Sequence, residues 1–183
     1  MKKITALVLS LMMVLCAFGA LAEGETVEKT GIGILNVGET FVIQSKIPEG
    51  YSFEPFAATD LGLIGSLKAE DMSKPVIVVS IAYNEEYADI ERFNDLSEED
   101  VEYIRWSFQD EEEAELIFED LETAHGTRLL KVIDVDFVDL YTIYKGYEMD
   151  FLMTYPDPAN EITEADIQML VDFISDMDFV AVE

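Results

Sequence analysis

One short run of residues limits the possible folds of this chain more than any other feature. Residues 76–82 read VIVVSIA, a segment that is almost wholly apolar and largely β-branched. Such side chains favour extended backbone, and a strand without polar alternation is typical of a position buried on both faces of a sheet. The sequence therefore predicts a sheet in which this strand is central and covered on both sides.

Shorter strand-like runs, separated by turn residues, precede and follow this segment. Glycine accepts the positive φ that tight hairpin turns require, so a glycine-containing pair between two such runs indicates a hairpin. Three pairs fit this description: Gly38-Glu39, His125-Gly126 and Lys145-Gly146.

Two regions carry helical patterns. Residues 84–115 are helix-like, and Ser97 and Asp100 have the spacing of a capping box. Near the C-terminus, Thr163 can cap a helix whose apolar stripe is formed by Ile167, Leu170, Val171, Ile174 and Met177. Strands, helix, strands and helix in this order predict an α+β fold, an antiparallel β-sheet flanked by helices.

The first 22 residues have the features of an export signal. Lys2 and Lys3 precede an uncharged apolar run, which ends at the small residues of Ala20-Leu21-Ala22. We expect cleavage after Ala22 and a secreted or envelope-exposed bacterial protein, while a leader retained as a membrane anchor is the alternative. The predicted division is residues 1–22 as signal peptide, 23–39 as lead-in and first strand, and 40–183 as a single α+β domain.

Cleavage would change the bulk chemistry of the chain. Cys16 leaves with the leader, so the exported protein would have no disulfide, thiolate metal site or cysteine nucleophile. The leader also removes two lysines and no acid, which lowers the net charge from −28 to −30. Because that charge repels phosphates and anionic headgroups, neither nucleic acid nor an anionic membrane surface is an expected partner.

The last strand-like run has two contrasting faces. Alternation places Glu148, Asp150, Leu152 and Thr154 on one of them. The other face supplies the predicted partner-binding residues, together with Tyr144 before the turn: Tyr144, Tyr147, Met149, Phe151, Met153 and Tyr155. The expected partner is a protein or small molecule outside the cytoplasm, and ordinary core packing is the alternative interpretation.

Carboxylate oxygens make calcium the one cofactor that the sequence suggests. Asp134, Asp136 and Asp139 are the candidate ligands, although they lack the glycine and distal glutamate of an EF-hand loop. The loop with Asp157 and Glu161 offers further oxygens without a known pattern. An acidic calcium-binding module is thus an alternative function, and otherwise no cofactor is expected.

Catalysis has little support in the sequence. His125 is the single histidine of the chain and lies at a predicted turn, and no nucleophile elbow, phosphate loop or zinc-binding helix is present. With 39 acidic residues, a carboxylate-dependent hydrolase remains a further alternative. A non-catalytic binding or assembly domain is the leading expectation.

Several segments, in their order, resemble the PsbP-like family of extracytoplasmic domains, of the DcrB type. The resemblance spans roughly residues 40–180 and rests on IPEGY at 47–51, HGTRLLKV at 125–132, YTIYKGYEMDFLMTY at 141–155 and the closing helix EADIQMLVDFISDMDFV. It implies an α/β/α sandwich around an antiparallel sheet and a binding or assembly role. It carries over no catalytic residue.

Overall fold

The architecture comes from a computed structural model that describes residues 29–37, 39–59, 62–71, 73–111 and 115–181. The predicted signal peptide and its cleavage site lie outside these ranges. Ten strands follow in chain order: β1 Thr30–Val37, β2 Glu39–Ser45, β3 Tyr51–Ala58, β4 Gly62–Ala69, β5 Val76–Tyr83, β6 Ile117–Glu122, β7 Arg128–Ile133, β8 Val138–Tyr144, β9 Tyr147–Thr154 and β10 Asp178–Ala181. Two α-helices form among the described residues: α1, Glu98–Glu111, and α2, Glu164–Ser175.

The strands form two antiparallel sheets. The larger has seven strands in the order β3-β4-β5-β9-β8-β7-β6, and the smaller has three in the order β1-β2-β10. The apolar run at 76–82 lies within β5, which has a hydrogen-bonded neighbour on each side, so the predicted interior position is confirmed. The predicted burial of both its faces is wrong: Ile77, Val79 and Ile81 are buried, whereas the alternate residues are half-buried or exposed.

Each face of the large sheet carries its own apolar core. On one face, β4, β5 and β9 pack against α2 and the small sheet, because one buried cluster contains Leu63, Phe151, Leu35 and Leu170. On the other face, α1 packs on β7 and β8 through Val101 and Ile104. The chain therefore has an α+β fold with a helix on each side of an antiparallel sheet.

The first strand belongs to the main core. Ile32 and Leu35 of β1 are buried in the same cluster as residues of the large sheet. β1 also pairs with β2 across residue 38. The boundary predicted between residues 39 and 40 falls at the beginning of β2.

The hairpin turns follow the glycine signals. Gly126 has φ +78° in the connection between β6 and β7. Lys145 and Gly146, with φ +52° and +78°, connect β8 to β9, and two consecutive positive φ angles are the signature of a tight type I′ turn. This turn sets the β8–β9 register that brings the candidate site together.

The prediction of an α-helix before Ser97 is wrong. Only two short 3₁₀ helices form there, Glu85–Tyr87 and Phe93–Asp95. Between them the backbone carbonyls of Ile90 and Glu91 accept hydrogen bonds from Gly146 N–H and Lys145 N–H, at 3.1 and 3.0 Å. Because these carbonyls satisfy the β8–β9 turn, they cannot take part in a helical ladder.

The cap of α2 gives a first testable expectation. Thr163 Oγ1 accepts a hydrogen bond from Asp166 N–H at 3.3 Å, and Asp166 Oδ2 accepts one from Thr163 N–H at 2.9 Å. Losing a capping side chain costs roughly 0.5–2 kcal/mol. We therefore expect Thr163→Ala to lower the free energy of unfolding by about 1 kcal/mol in urea titrations. Gln168→Ala, at an exposed position of the same helix, is the control and should change it by less than about 0.5 kcal/mol.

Candidate functional site

The predicted partner-binding residues lie mostly in the core. Tyr147, Met149, Phe151 and Met153 are buried in the cluster that includes α2, and the Phe151 ring packs edge-on against Phe173 of that helix at 6.3 Å. Tyr144 and Tyr155 are half-buried. The four buried side chains are therefore not exposed to a partner in this fold, and the core-packing interpretation describes them.

The three calcium candidates occupy different environments. Asp134 and Asp136 lie in the turn between β7 and β8, where Asp134 Oδ1 accepts a hydrogen bond from Asp136 N–H at 3.2 Å. Asp139 lies in β8 and is only 3% exposed. Among the described residues, no group of three or more histidine, cysteine or acidic side chains is arranged to hold a metal ion. Calcium binding by these residues stays a prediction.

The acids of β9 face the opposite side from its buried aromatic residues. Asp150 pairs with Tyr141 of β8, and Glu148 pairs with Ile143. Side chains of directly paired residues lie on the same face of a sheet. Glu148, Asp150, Tyr141 and Asp139 therefore share the face that α1 covers in part.

Glu148 is held by two hydrogen bonds. Its Oε1 accepts from the Tyr141 hydroxyl at 2.6 Å, and its Oε2 accepts from Asn84 Nδ2 at 3.0 Å. Asn84 is itself positioned because its Oδ1 caps the first 3₁₀ helix. Burial, and then the bond to Glu148, raise the pKa of Tyr141 far above its ordinary value. Tyr141 therefore acts as a neutral hydrogen-bond donor to a carboxylate whose direction is fixed.

Asp139 and Asp150 form a buried carboxyl pair. Burial, and then the neighbouring charge of Asp150, raise the pKa of Asp139 well above its ordinary value, and burial also raises the pKa of Asp150. Their side chains hydrogen-bond to each other, which requires a proton between two groups that otherwise only accept. Asp139 Oδ1 accepts in addition from Phe151 N–H at 3.1 Å. Burial and the neighbouring carboxyl of Asp150 both favour the protonated form of Asp139.

A pocket of about 330 Å³ opens above these residues, between α1, the first 3₁₀ helix and the sheet. Its acidic lining consists of Glu86, Glu148 and Asp150. Its aromatic walls are Tyr87, Tyr103, Phe108 and Tyr141. Within the described part of the chain, no lysine, arginine or histidine lines it. This "acidic pocket" suits a cationic group, because carboxylates and aromatic faces both attract positive charge.

In the part of the chain that the structure describes, no helix lies over the sheet face beside the acidic pocket. An α-helix is about 10 Å wide and strands lie about 4.8 Å apart, so α1 can cover only two or three of seven strands. The second apolar cluster accordingly draws no residue from β3, β4 or β5 among those described. We call the uncovered part the open half-face, and its residues are Phe56, Ile64, Val78, Ser80 and Ala82.

The open half-face continues directly into the acidic pocket. Ile64 pairs with Ser80, Ser80 pairs with Asp150, and Ala82 pairs with Glu148. A second, largely apolar pocket of about 270 Å³ lies at Ile64, Ser80 and Ala82. Ile64 is 47% exposed and Phe56 is 55% exposed. The apolar pocket on β4 and β5 is therefore next to the acidic pocket on β9, because β5 and β9 are paired strands.

The sequence pattern places Glu148 and Asp150 on the face of the last strand opposite the predicted partner-binding residues, and it assigns them no role. It named Asp139 as a metal candidate, whereas the structure places it against Asp150. One signal for the site was present in the sequence: the acids of this strand alternate with its apolar residues. Which strand neighbours which depends on long-range pairing, and local pattern does not report it.

No family model matches this chain, and comparisons with curated proteins and with solved structures found no match either. The resemblance to PsbP-like domains therefore stays a prediction. In the part of the chain that the structure describes, neither helix is long and apolar enough to cross a membrane.

Proposed function

We propose that this chain is an extracytoplasmic bacterial binding domain that acts by contacting a partner at the open half-face and not by catalysis. The observation that carries this proposal is the uncovered apolar surface of β3, β4 and β5 beside a polar pocket. Exposed apolar patches rimmed by polar groups are typical of interaction sites. The leader-like N-terminus supports a location outside the cytoplasm.

A PsbP-like α/β/α sandwich is the finer form of this proposal. An antiparallel seven-stranded sheet with α1 over one face and α2 over the other is compatible with such a sandwich. The binding or assembly role that the resemblance implies agrees with a surface that none of the described helices covers.

Capture from the native culture tests the proposal. The exported chain, immobilised, should retain one saturable component of the envelope or medium, which mass spectrometry identifies. Ile64→Asp places a charge on the open half-face, and since this side chain is half exposed the core is not disturbed. We expect Ile64→Asp to lower the captured amount at least about tenfold, because an unpaired charge would be desolvated in the contact. Val135→Asp, at a turn residue 94% exposed, is the matched control and should capture as the unaltered chain does.

A carboxylate-dependent hydrolase is the second candidate, and the acidic pocket is the observation that favours it. Glu148 and Asp150 are two residues apart on one strand face, so their α-carbons are about 7 Å apart. Glycosidases use two carboxyl groups that face one cavity, and one member of the pair has a raised pKa, as Asp150 does. Against this reading, Glu148 already accepts two hydrogen bonds within the protein.

Turnover measurements separate the two functions. Hydrolysis of chromogenic glycosides or esters that Asp150→Asn abolishes, with no saturable component captured, would contradict the binding proposal. A captured component that Ile64→Asp releases, with no turnover above background, would contradict the hydrolase.

A further inference from the structure

We propose that the open half-face binds a basic, partly apolar peptide segment of a partner protein. Its lysine or arginine enters the acidic pocket, and a neighbouring large apolar side chain lies on Ile64 and Ala82. This inference rests on the proposed binding function and specifies the chemistry of the partner. Three observations carry it: the apolar surface, the charge of the pocket beside it and the distance between them.

The apolar surface exists because the fold buries only one face of an almost wholly apolar strand. β5 is apolar along nearly its whole length, yet only one of its faces is buried. Val78 and Ala82 of β5 and Ile64 of β4 lie on the same sheet face as α1. They lie beyond the strands that α1 covers. Covering such side chains with another apolar group is favourable by roughly 25 cal/mol per Å². A partner segment therefore gains stabilisation from apolar side chains here.

The charge of the neighbouring pocket selects a cation. Glu86, Glu148 and Asp150 line it, and no basic side chain among the described residues does. Lys68, on the same face as Ile64, already pairs with Glu54 at 2.7 Å. The whole chain has a net charge of −28, which attracts basic segments and repels nucleic acids and anionic lipids.

The aromatic walls favour lysine or arginine over a bare metal ion. Tyr87, Tyr103 and Tyr141 line the pocket, and cations on alkyl stems can stack against aromatic rings. Burial, and then the nearby Glu148 carboxylate, raise the pKa of Tyr87 to about 12. Tyr87 therefore stays neutral at physiological pH and adds no negative charge of its own.

The spacing of the two depressions gives the length of the segment. Ser80 of β5 pairs with Ile64 of β4 on one side and with Asp150 of β9 on the other. Ile64 and Asp150 are therefore about 10 Å apart, which is twice the spacing of neighbouring strands. An extended chain covers this distance in about three residues. The partner should therefore carry a basic residue about three positions from a large apolar residue. A free amine could fill only the pocket, whereas a peptide spans both surfaces.

Peptide selection followed by affinity measurement tests the inference. A random dodecapeptide library displayed on phage is selected on the exported chain, and enriched peptides are synthesised for fluorescence anisotropy. We expect enriched peptides to combine lysine or arginine with a large apolar residue two to four positions away. Glu148→Gln should weaken their binding about tenfold or more, corresponding to 1.4 kcal/mol per factor of ten, and Ile64→Ser should weaken it severalfold. Raising the salt concentration should weaken it further.

Two controls and a second variant make these results interpretable. Glu161→Gln removes one negative charge from an exposed loop before α2, and Val135→Ser shortens an exposed apolar side chain, so both should leave affinity within twofold. Glu86→Gln changes an exposed residue of the pocket and should weaken binding without any effect on folding, even if Glu148→Gln does not fold.

Each of the remaining outcomes would contradict either this inference or the proposed function. Enriched peptides without a basic residue, or peptides that bind Glu148→Gln and Glu86→Gln unchanged, would overturn the inference, while release by Ile64→Ser would still support the binding function. Competition by lysine methyl ester at the concentration at which the peptide itself competes would also overturn it, since a small amine would then suffice. An empty selection together with no captured component would contradict the proposed function itself.

Discussion

Replacing Phe151 with alanine should lower the free energy of unfolding by about 3–5 kcal/mol. Phe151 is 0% exposed and lies in the middle of β9, one strand from the apolar β5. Its ring contacts Phe173 of α2, so it connects the large sheet to the closing helix. Alanine would remove this contact and leave a cavity that rigid neighbours can close only in part.

Urea unfolding followed by circular dichroism measures this loss. Because small domains are stable by only about 5–15 kcal/mol, the unfolding midpoint should fall by a large fraction of its value. Phe56→Ala is the matched control: the same substitution at a ring that is 55% exposed should cost less than about 1 kcal/mol. Similar midpoints for the two variants would show that β9 does not pack against α2 as described.

Replacing Asp139 with asparagine should flatten the pH dependence of stability. Burial raises the pKa of Asp139 well above its ordinary value, so the folded chain favours the protonated form. An aspartate whose pKa is raised by folding stabilises the fold fully at pH values below its pKa in the unfolded chain, near 3.9. This stabilisation is lost as the pH rises through the pKa of the same group in the folded chain. The unaltered protein should therefore lose stability through this group as the pH rises from about 4 through the raised pKa of folded Asp139.

Asparagine can keep both hydrogen bonds of Asp139 without a charge to bury. Its amide can donate to Asp150, and its oxygen can accept from Phe151 N–H, as Asp139 Oδ1 does at 3.1 Å. We expect the variant to be the more stable protein at pH 8, by about 1.4 kcal/mol for each unit by which the pKa is raised. The two proteins should have similar stability near pH 4.

Chemical denaturation at a series of pH values measures the effect. Asp136→Asn removes the same charge from the exposed turn before β8, so it reports the general effect of reducing a large negative charge. Subtracting this control isolates the contribution of burial. Parallel curves for Asp139→Asn and the unaltered protein would show that Asp139 is not protonated in the fold.

Local sequence pattern predicted much of the fold because the relevant physics is local. Thr163 caps α2 as expected, since its hydroxyl and Asp166 lie within one turn of each other. The Lys145-Gly146 turn follows from the two residues that adopt positive φ. The α-helix predicted before Ser97 does not form, because its backbone pairs with an element distant in sequence. The carbonyl groups of Ile90 and Glu91 accept hydrogen bonds from the β8–β9 turn.

The candidate site could be predicted only in part. The alternation along β9 correctly separated Tyr147 and Phe151 from Glu148 and Asp150, but it could not say which face a helix would cover. The aromatic face appeared the better binding surface because tyrosine and methionine are frequent at interfaces. Tertiary packing covered that face with α2, and the acidic face became the one that borders a pocket.

By itself, the sequence determined the elements: an apolar β5 inside a sheet, hairpins at glycine pairs, two capped amphipathic helices and a strongly acidic chain. Long-range packing leaves one face of β5 without a helix among the described residues, places Asp139 against Asp150, and brings Ile64 within two strands of Glu148 and Asp150. The reason is physical. Periodicity and capping depend on residues within a few positions of each other, whereas coverage and carboxyl pairing depend on which strands become neighbours and on how many of them one helix can cover.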